Sequence, residues 1–220
     1  MIKDTSVIIA AGGKGTRMGC PKQLLKIDGK EILVRTILAF KKVKRVKEII
    51  VVTTPETFTV VSKKIKGLKF APAGCERIES VKNGLKEVSS NSSLIAVQDG
   101  ARPLVHPKHI DSCLKAAEKD KAAVLGAFVK DTIKIVKDGK IIKTLKREEL
   151  FAAQTPQCYQ TDILKKALKK FGNRILATDE SQLVEKLGIK ITAIVGDYRN
   201  IKITTPEDLI IAGALCKKKK

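Results

Sequence analysis

Val7-Ile-Ile-Ala-Ala-Gly-Gly-Lys-Gly-Thr-Arg-Met-Gly-Cys-Pro-Lys-Gln-Leu24 runs from a short apolar segment straight into a glycine-rich turn. The apolar run is brief and does not alternate, as expected of a strand buried on both faces. A glycine-rich turn leaving such a strand lets backbone N–H groups approach phosphate oxygens closely, as a nest does. The string is neither a G-x-x-x-x-G-K-[ST] phosphate loop nor a G-x-G-x-x-G dinucleotide fingerprint, because Met18 stands where the third glycine belongs. Arg17 and Lys22 add two cationic side chains to the same turn. Glycine plus one lysine would describe a solvated surface turn equally well. The full string favours chemistry that stabilises charge on a phosphorus centre under attack.

Similar apolar runs recur along the chain. Val7-Ile-Ile-Ala10, Ile49-Ile-Val-Val52, Leu94-Ile-Ala-Val97, Ala122-Ala-Val-Leu125 and Ile189-Lys-Ile-Thr192 read as strands. Between them, Ile32 to Phe40, Arg77 to Val88, Pro107 to Glu118 and Asp162 to Phe171 read as helices. Apolar strands alternating with helices predict an α/β fold with a mostly parallel sheet covered on both faces. Residues 131–147 break the alternation. Two arms rich in Ile and Lys flank Asp138-Gly139, and Asp-Gly favours a type I′ hairpin turn because both central residues need positive φ. An isolated hairpin is marginally stable, so this arm is expected to pack on something else, with a partner subunit as the natural candidate. No repeat, linker or domain boundary interrupts residues 1–220, which read as one domain carrying this arm.

Composition narrows the classes. The chain is 43% hydrophobic but has no Trp, 2 Tyr and 6 Phe, so its core must be aliphatic. Its apolar runs are too short to span a bilayer, and Met1-Ile-Lys-Asp-Thr-Ser6 lacks the apolar region of a secretory signal. A cytoplasmic protein is expected. Five cysteines (Cys20, Cys75, Cys113, Cys158, Cys216) form no C-x-x-C pair, and their odd number argues against a disulfide framework. A formal net charge of +21 invites a nucleic-acid reading. Against it, lysines are spread along the whole chain and aromatic stacking residues are scarce. A solvated lysine-rich surface is the expected reading, with a field that would draw in a polyanionic nucleotide. The final Lys217 to Lys220 run is expected to fray.

The string G-G-x-G-x-R-M followed by P-K-Q resembles the opening of nucleotidyltransferases with a Rossmann-like, glycosyltransferase-A-like α/β fold. Four further segments are similar to those of the 2-C-methyl-D-erythritol 4-phosphate cytidylyltransferase family. They are Ala73-Gly-Cys-Glu-Arg-Ile-Glu-Ser-Val81 with Asn83-Gly84, Gln98-Asp-Gly-Ala-Arg-Pro103, Ala153-Gln-Thr-Pro-Gln157, and Asn200-Ile-Lys-Ile-Thr-Thr-Pro-Glu-Asp-Leu209. Thr178-Asp-Glu180 and Asp131-Thr132 add to the match, which spans residues 7 to 212 in family order.

The resemblance implies transfer of CMP from CTP to 2-C-methyl-D-erythritol 4-phosphate, with release of pyrophosphate, in non-mevalonate isoprenoid synthesis. It places Arg17 and Lys22 at the CTP α-phosphate. It places the backbone at Ala10, Ala11 and Gly12, with Gly74 and Ser80, around the cytosine and ribose. Asp99 is implied near the ribose and a bound Mg²⁺. Arg102, Thr132, Arg147, Thr155, Thr178, Lys202 and Thr204 match positions that grip the acceptor, Arg147 and Lys202 orienting its phosphate. The hairpin is implied to reach the other subunit of a homodimer, so that Thr132 and Arg147 complete the partner's site. A phosphate monoester is already ionised at neutral pH and needs no strong general base.

Two segments also have purely structural readings, Thr205-Pro-Glu-Asp208 and Thr178-Asp-Glu-Ser-Gln182 as capped helix starts. Ala73 and Gly100 depart from the family pattern, which has Gly and Ala there, and this bears on the fine shape of the nucleotide pocket. The nearest alternative is a cytidylyltransferase for another polyol phosphate, such as ribitol 5-phosphate. A non-enzymatic, basic nucleic-acid-binding protein is the distant one, and it gives Arg17, Lys22, Asp99 and Lys202 no reason to occupy motif positions.

Overall fold

The computed structural model describes residues 4–13, 21–172 and 177–216. Arg17 and Cys20, together with the Lys217 to Lys220 run, lie outside the described residues. A seven-stranded sheet forms the centre. One side of it consists of β1 (Thr5–Ala10), β4 (Val46–Thr53), β5 (Leu68–Pro72) and β6 (Leu94–Asp99), paired in parallel in the order β6-β1-β4-β5 with β5 at the edge. The other flank holds β7 (Ala122–Phe128), β10 (Phe151–Gln160) and β11 (Thr192–Val195). There β10 runs antiparallel between β6 and β7, and β11 pairs parallel to β7. The expected mostly parallel α/β sheet is therefore present.

Among the described residues six helices cover the two faces. On one face, α1 (Ile32–Lys41), α2 (Pro55–Lys64) and α4 (Pro107–Asp120) enclose a core that includes Ile9, Leu33, Ile37, Val51, Ile110 and Leu114. On the other, α3 (Arg77–Lys86), α5 (Thr161–Phe171) and α6 (Glu180–Glu185) pack on Ile8, Ile50, Ile95 and Tyr159. Leu33, Ile37, Ile110 and Leu114 are wholly buried, each contributing roughly 1.5–3 kcal/mol relative to exposure. A smaller cluster forms where α7 (Pro206–Cys216) meets the short ribbon of β2 (Lys26–Ile27) and β3 (Lys30–Glu31). Ile27, Ile32, Ile203 and Ala212 close it. No helix among the described residues is long and apolar enough to cross a membrane.

Several elements differ from the sequence reading. The last strand begins at Thr192, where the Ile189-to-Thr192 reading ended, because pairing with β7 starts at Thr192↔Ala123. Ile189 and Ile191 instead pack, partly buried, against the core beneath α6. Helix α2 and strand β5 were not anticipated, although Thr54 caps α2 by accepting from Thr57 N at 3.3 Å, with Pro55 in the first turn. Strand β10 was read only as a motif.

The arm forms as expected. β8 (Lys134–Lys137) and β9 (Lys140–Thr144) pair antiparallel around Asp138 (φ 50°) and Gly139 (φ 75°). Every residue of both strands is exposed, Ile141 by 66% and Ile142 by 61%. In the single chain the arm thus leaves its apolar side chains in water.

Candidate active site

The strand order places a cavity where chain direction across the sheet reverses. From β1 the chain moves outward to β4 and β5, then returns to β6 on the other side of β1. Ligands of open α/β sheets bind at the carboxyl ends of strands at such a switch point. Here Ala10 ends β1, Asp99 ends β6, and a cavity of about 750 Å³ opens above them. Its lining includes Ala10, Ala11, Gly12, Lys22, Gly74, Ser80, Asp99 and Lys202.

The backbone there is held in place by short bonds. Gln23 is buried and donates from Nε2 to Ala11 O at 2.8 Å and Gly13 O at 2.7 Å. Gly100 N donates to Ala10 O at 2.8 Å. Across the cavity the Ser80 hydroxyl accepts from Gly74 N at 3.0 Å, fixing the turn that enters α3. Gly12 lies against that turn, and a Cβ placed on it would stand 2.1 Å from the Ala73 Cβ. Gly12→Ala is therefore expected to push the two turns apart and cost roughly 1–3 kcal/mol by overpacking. Thermal denaturation reads that loss, and calorimetric titration with CTP reads the accompanying loss of nucleotide binding. At Gly100, a Cβ would meet Ala11 Cβ at 2.8 Å, so in this chain the departure from Ala makes room for Ala11.

Asp99 is the electrostatic centre. Its Oδ1 accepts from Arg77 Nε at 3.4 Å, and its Oδ2 from Arg102 Nε at 3.3 Å and Lys202 Nζ at 3.1 Å. Burial pushes its carboxyl up, but Arg77, Lys202 and Arg102 together outweigh burial and hold it below the ordinary Asp value. The Thr155 hydroxyl accepts from Asp99 N at 3.0 Å, while Arg102 Nη1 donates to Asn200 O at 2.7 Å. Asn200 Nδ2 in turn donates to Thr155 O at 3.0 Å, locking β10 to the loop that bears Lys202. Lys22 Nζ donates to Ile203 O at 2.8 Å, tying the glycine-rich segment to the same loop.

Among the described residues no group of three or more His, Cys, Asp or Glu side chains could hold a metal ion. Mg²⁺ commonly keeps several waters and binds through one or two carboxylates plus substrate phosphates. The carboxylates of the cavity lining among the described residues are Asp99, at the end of β6, and Glu76, and a divalent cation bound to substrate phosphates would need no more than one or two such groups.

A profile described as 2-C-methyl-D-erythritol 4-phosphate cytidylyltransferase matches residues 5–218. The chain belongs to this family. A cytidylyltransferase of that name from Caldanaerobacter subterraneus subsp. tengcongensis is 42% identical, over 98% of this chain and 100% of that one. Another from Clostridioides difficile is 41% identical, over 94% of this chain and 91% of its own length. The crystal structure of 4-diphosphocytidyl-2C-methyl-D-erythritol synthase from Anaerococcus prevotii superposes with a TM-score of 0.88 at 30% identity, covering 97% of this chain and 96% of that one. The 2-C-methyl-D-erythritol 4-phosphate cytidylyltransferase of Thermus thermophilus gives 0.82 at 32% identity, covering 96% and 98%. The chain is thus an enzyme of the CTP-dependent cytidylyltransferase class, and the nucleic-acid-binding alternative gives way.

The cytidylyltransferase fold sorts the sequence-derived site residues into groups. Lys22, Lys202, Asp99 and the backbone at Ala10, Ala11, Gly12, Gly74 and Ser80 share the cavity. Arg102 and Thr155 support Asp99 from behind. Thr204 spends its N–H and hydroxyl on Asp208 Oδ2, both at 2.7 Å, in the capped start of α7. Thr178 exchanges bonds with the Gln182 side chain, and Asp179, not Thr178, caps α6 by accepting from Gln182 N at 3.2 Å. Thr132 and Arg147 are exposed at the root of the arm, away from the cavity lining, with Arg147 Nη1 donating to Lys130 O at 3.0 Å. Sequence reasoning assigned no role to Gln23, Arg77, Glu180 or Asn200. All four stand inside quoted motifs, Gln23 in the opening string, Arg77 in Ala73–Val81, Glu180 in Thr178–Glu180 and Asn200 in Asn200–Leu209, and that membership is the signal that could have exposed them.

Proposed function

We propose that the chain transfers CMP from CTP to 2-C-methyl-D-erythritol 4-phosphate, giving 4-diphosphocytidyl-2-C-methyl-D-erythritol and pyrophosphate in the non-mevalonate isoprenoid pathway. The observation that carries the reading is the convergence of four separate sequence motifs on one cavity at the β1–β6 switch point, in a chain of this family. An oxygen of the acceptor phosphate attacks the α-phosphorus of CTP. The bond from that phosphorus to the bridging oxygen breaks, and its electron pair leaves with pyrophosphate. Since the acceptor is already a dianion or monoanion, no proton need be removed first.

In this reading the backbone at Ala10, Ala11 and Gly12, with Gly74 and Ser80, seats the nucleoside. Lys22, joined by Arg17, stabilises charge gathering on the α-phosphate. Asp99 would hold Mg²⁺ near the ribose, and the metal, when bound, would supply charge neutralisation on the triphosphate. Lys202 orients the acceptor phosphate, with Arg102, Thr155, Thr178 and Thr204 around the polyol.

Thr132 and Arg147 act on the partner's site in a homodimer formed through residues 131–147. The exposed Ile135, Val136, Ile141 and Ile142 support that assembly, because a lone hairpin with a bare apolar face is marginal. Both substrates are charged metabolites of the cytoplasm, where we place the enzyme.

The test is pyrophosphate release from CTP and Mg²⁺ with methylerythritol phosphate or ribitol 5-phosphate offered separately. Release with the first alone is expected. Release with ribitol phosphate alone would move the enzyme to the polyol-phosphate branch, and release with neither would overturn the reading.

A further inference from the structure

Arg77 lies between two carboxylates and treats them unequally. Its Nη1 donates to both oxygens of Glu180, at 2.6 and 2.5 Å, whereas Asp99 receives a contact from Nε at 3.4 Å. Arg77 begins α3 and lines the cavity; Glu180 begins α6, is wholly buried and lies outside the lining. Burial pushes the Glu180 carboxyl above its ordinary value, against the pull of Arg77. A carboxylate kept so far from water requires a close cationic partner, and the guanidinium provides one that does not lose its proton.

The surroundings fix Glu180 from its own side. Tyr159 Oη donates to Gln157 Oε1 at 2.8 Å, Gln157 Nε2 donates to Asp179 Oδ2 at 2.7 Å, and Asp179 caps α6. The start of α6 is therefore anchored to β10 independently of Arg77.

A guanidinium facing one carboxylate tends to take it bidentately. In this protein a single guanidinium nitrogen, Nη1, contacts both Glu180 oxygens, and Asp99 Oδ1 is left with the longer contact from Nε. We propose that Glu180 is a positioning residue for the nucleotide half of the site: by holding Arg77 it keeps that guanidinium from closing further on Asp99, and so leaves Oδ1, whose one cationic contact is the 3.4 Å one from Arg77, as the less engaged oxygen for the metal that arrives with CTP. The proposal rests on the reading of Asp99 given above. It extends the site to a residue 103 positions from Arg77 in sequence.

The test uses Mn²⁺ as a paramagnetic probe of the metal, titrated in the presence of CTP, and CMP without metal as a probe of the nucleoside pocket. In Glu180→Gln, Mn²⁺ affinity with CTP is expected to fall about tenfold, the lower end of what loss of an outer-shell partner causes. CMP binding without metal should be unchanged, and KM for the metal–nucleotide should rise more than kcat falls. Adding Arg77→Met to Glu180→Gln removes the group that would close on Asp99, and should restore Mn²⁺ affinity. A role confined to folding would weaken CMP and Mn²⁺–CTP binding together and show no rescue, which overturns the proposal; so does an unchanged Glu180→Gln. If Glu180→Gln is not recovered folded, Glu180→Asp carries the test, since it keeps the charge but shortens the reach, with the same losses expected. Wild-type protein that binds no Mn²⁺ with CTP would overturn the functional reading of Asp99 as well, whereas an intact wild type with an unaltered variant sinks the Glu180 role alone.

Discussion

Asp99→Asn is expected to be among the most damaging substitutions in the cavity, lowering both turnover and stability. The neutral amide would leave Arg77, Arg102 and Lys202 facing one another with Glu180 as the remaining counter-charge beside them. Removing one partner of a buried ion pair costs about 3 kcal/mol or more. The Lys202 share is discounted because that side chain is 41% exposed and screened by water; Arg77 and Arg102 carry the loss. The pH dependence has a fixed sign. The folded Asp99 carboxyl is held below its unfolded value, burial being outweighed by the three cations. Its contribution is therefore complete above the unfolded pKa of about 3.9 and disappears as pH falls through the lower folded one. Urea denaturation should show wild type and Asp99→Asn far apart at neutral pH and converging below about pH 4. An equal gap at all pH values would mean the variant acts through packing and not through charge. Turnover should fall about a hundredfold or more, the scale of losing a main electrostatic contributor in a site.

Why Asp99 was visible in the sequence and its surroundings were not follows from how each signal arises. β1, β4, β6 and β7 announce themselves because strands buried on both faces need unbroken apolar runs. Asp99 stands at the end of one such run, where a carboxylate has no packing reason to be. The arm was equally legible, because Asp138-Gly139 reports a backbone requirement that few other pairs satisfy. Strand β10 was hidden for the opposite reason. Ala153-Gln-Thr-Pro-Gln157 is polar, and its burial comes from insertion between β6 and β7 rather than from its own hydrophobicity. Thr204 and Thr178 show a further limit. Both match substrate contacts in the sequence reading, Thr178 inside a segment that also reads as a helix start and Thr204 just before one, and in the fold their hydroxyls bond to Gln182 and Asp208 at those helix starts. The Arg77–Glu180 pair is a tertiary accident from the viewpoint of sequence. Nothing in the local pattern around either residue calls for the other, and only the meeting of α3 and α6 brings them together.

Mixing two inactive variants, Arg147→Ala and Lys202→Ala, is expected to regenerate activity. Lys202 lies in the cavity of its own protomer, bonded to Asp99. Arg147 is exposed beside the arm and outside that cavity, so a role for it in catalysis requires a second copy of the chain. In a dimer formed through residues 131–147, each site would combine one protomer's Lys202 with the other's Arg147. Each single-variant homodimer then carries two damaged sites, and each should lose acceptor use far more than CTP binding, seen as a raised KM for the polyol phosphate. A mixed dimer has one site with both substitutions and one with neither. Random exchange at equal concentrations makes half of the dimers mixed, so activity should recover to about a quarter of wild type. Recovery should follow the rate of subunit exchange, and dilution below the dimer's dissociation constant should abolish it. Failure to recover in a mixture shown by mass spectrometry to contain mixed dimers would place Arg147 and Lys202 in the same protomer's site. The arm would then be an assembly device without a share in the chemistry, and the exposed Ile141 and Ile142 would be explained by association alone.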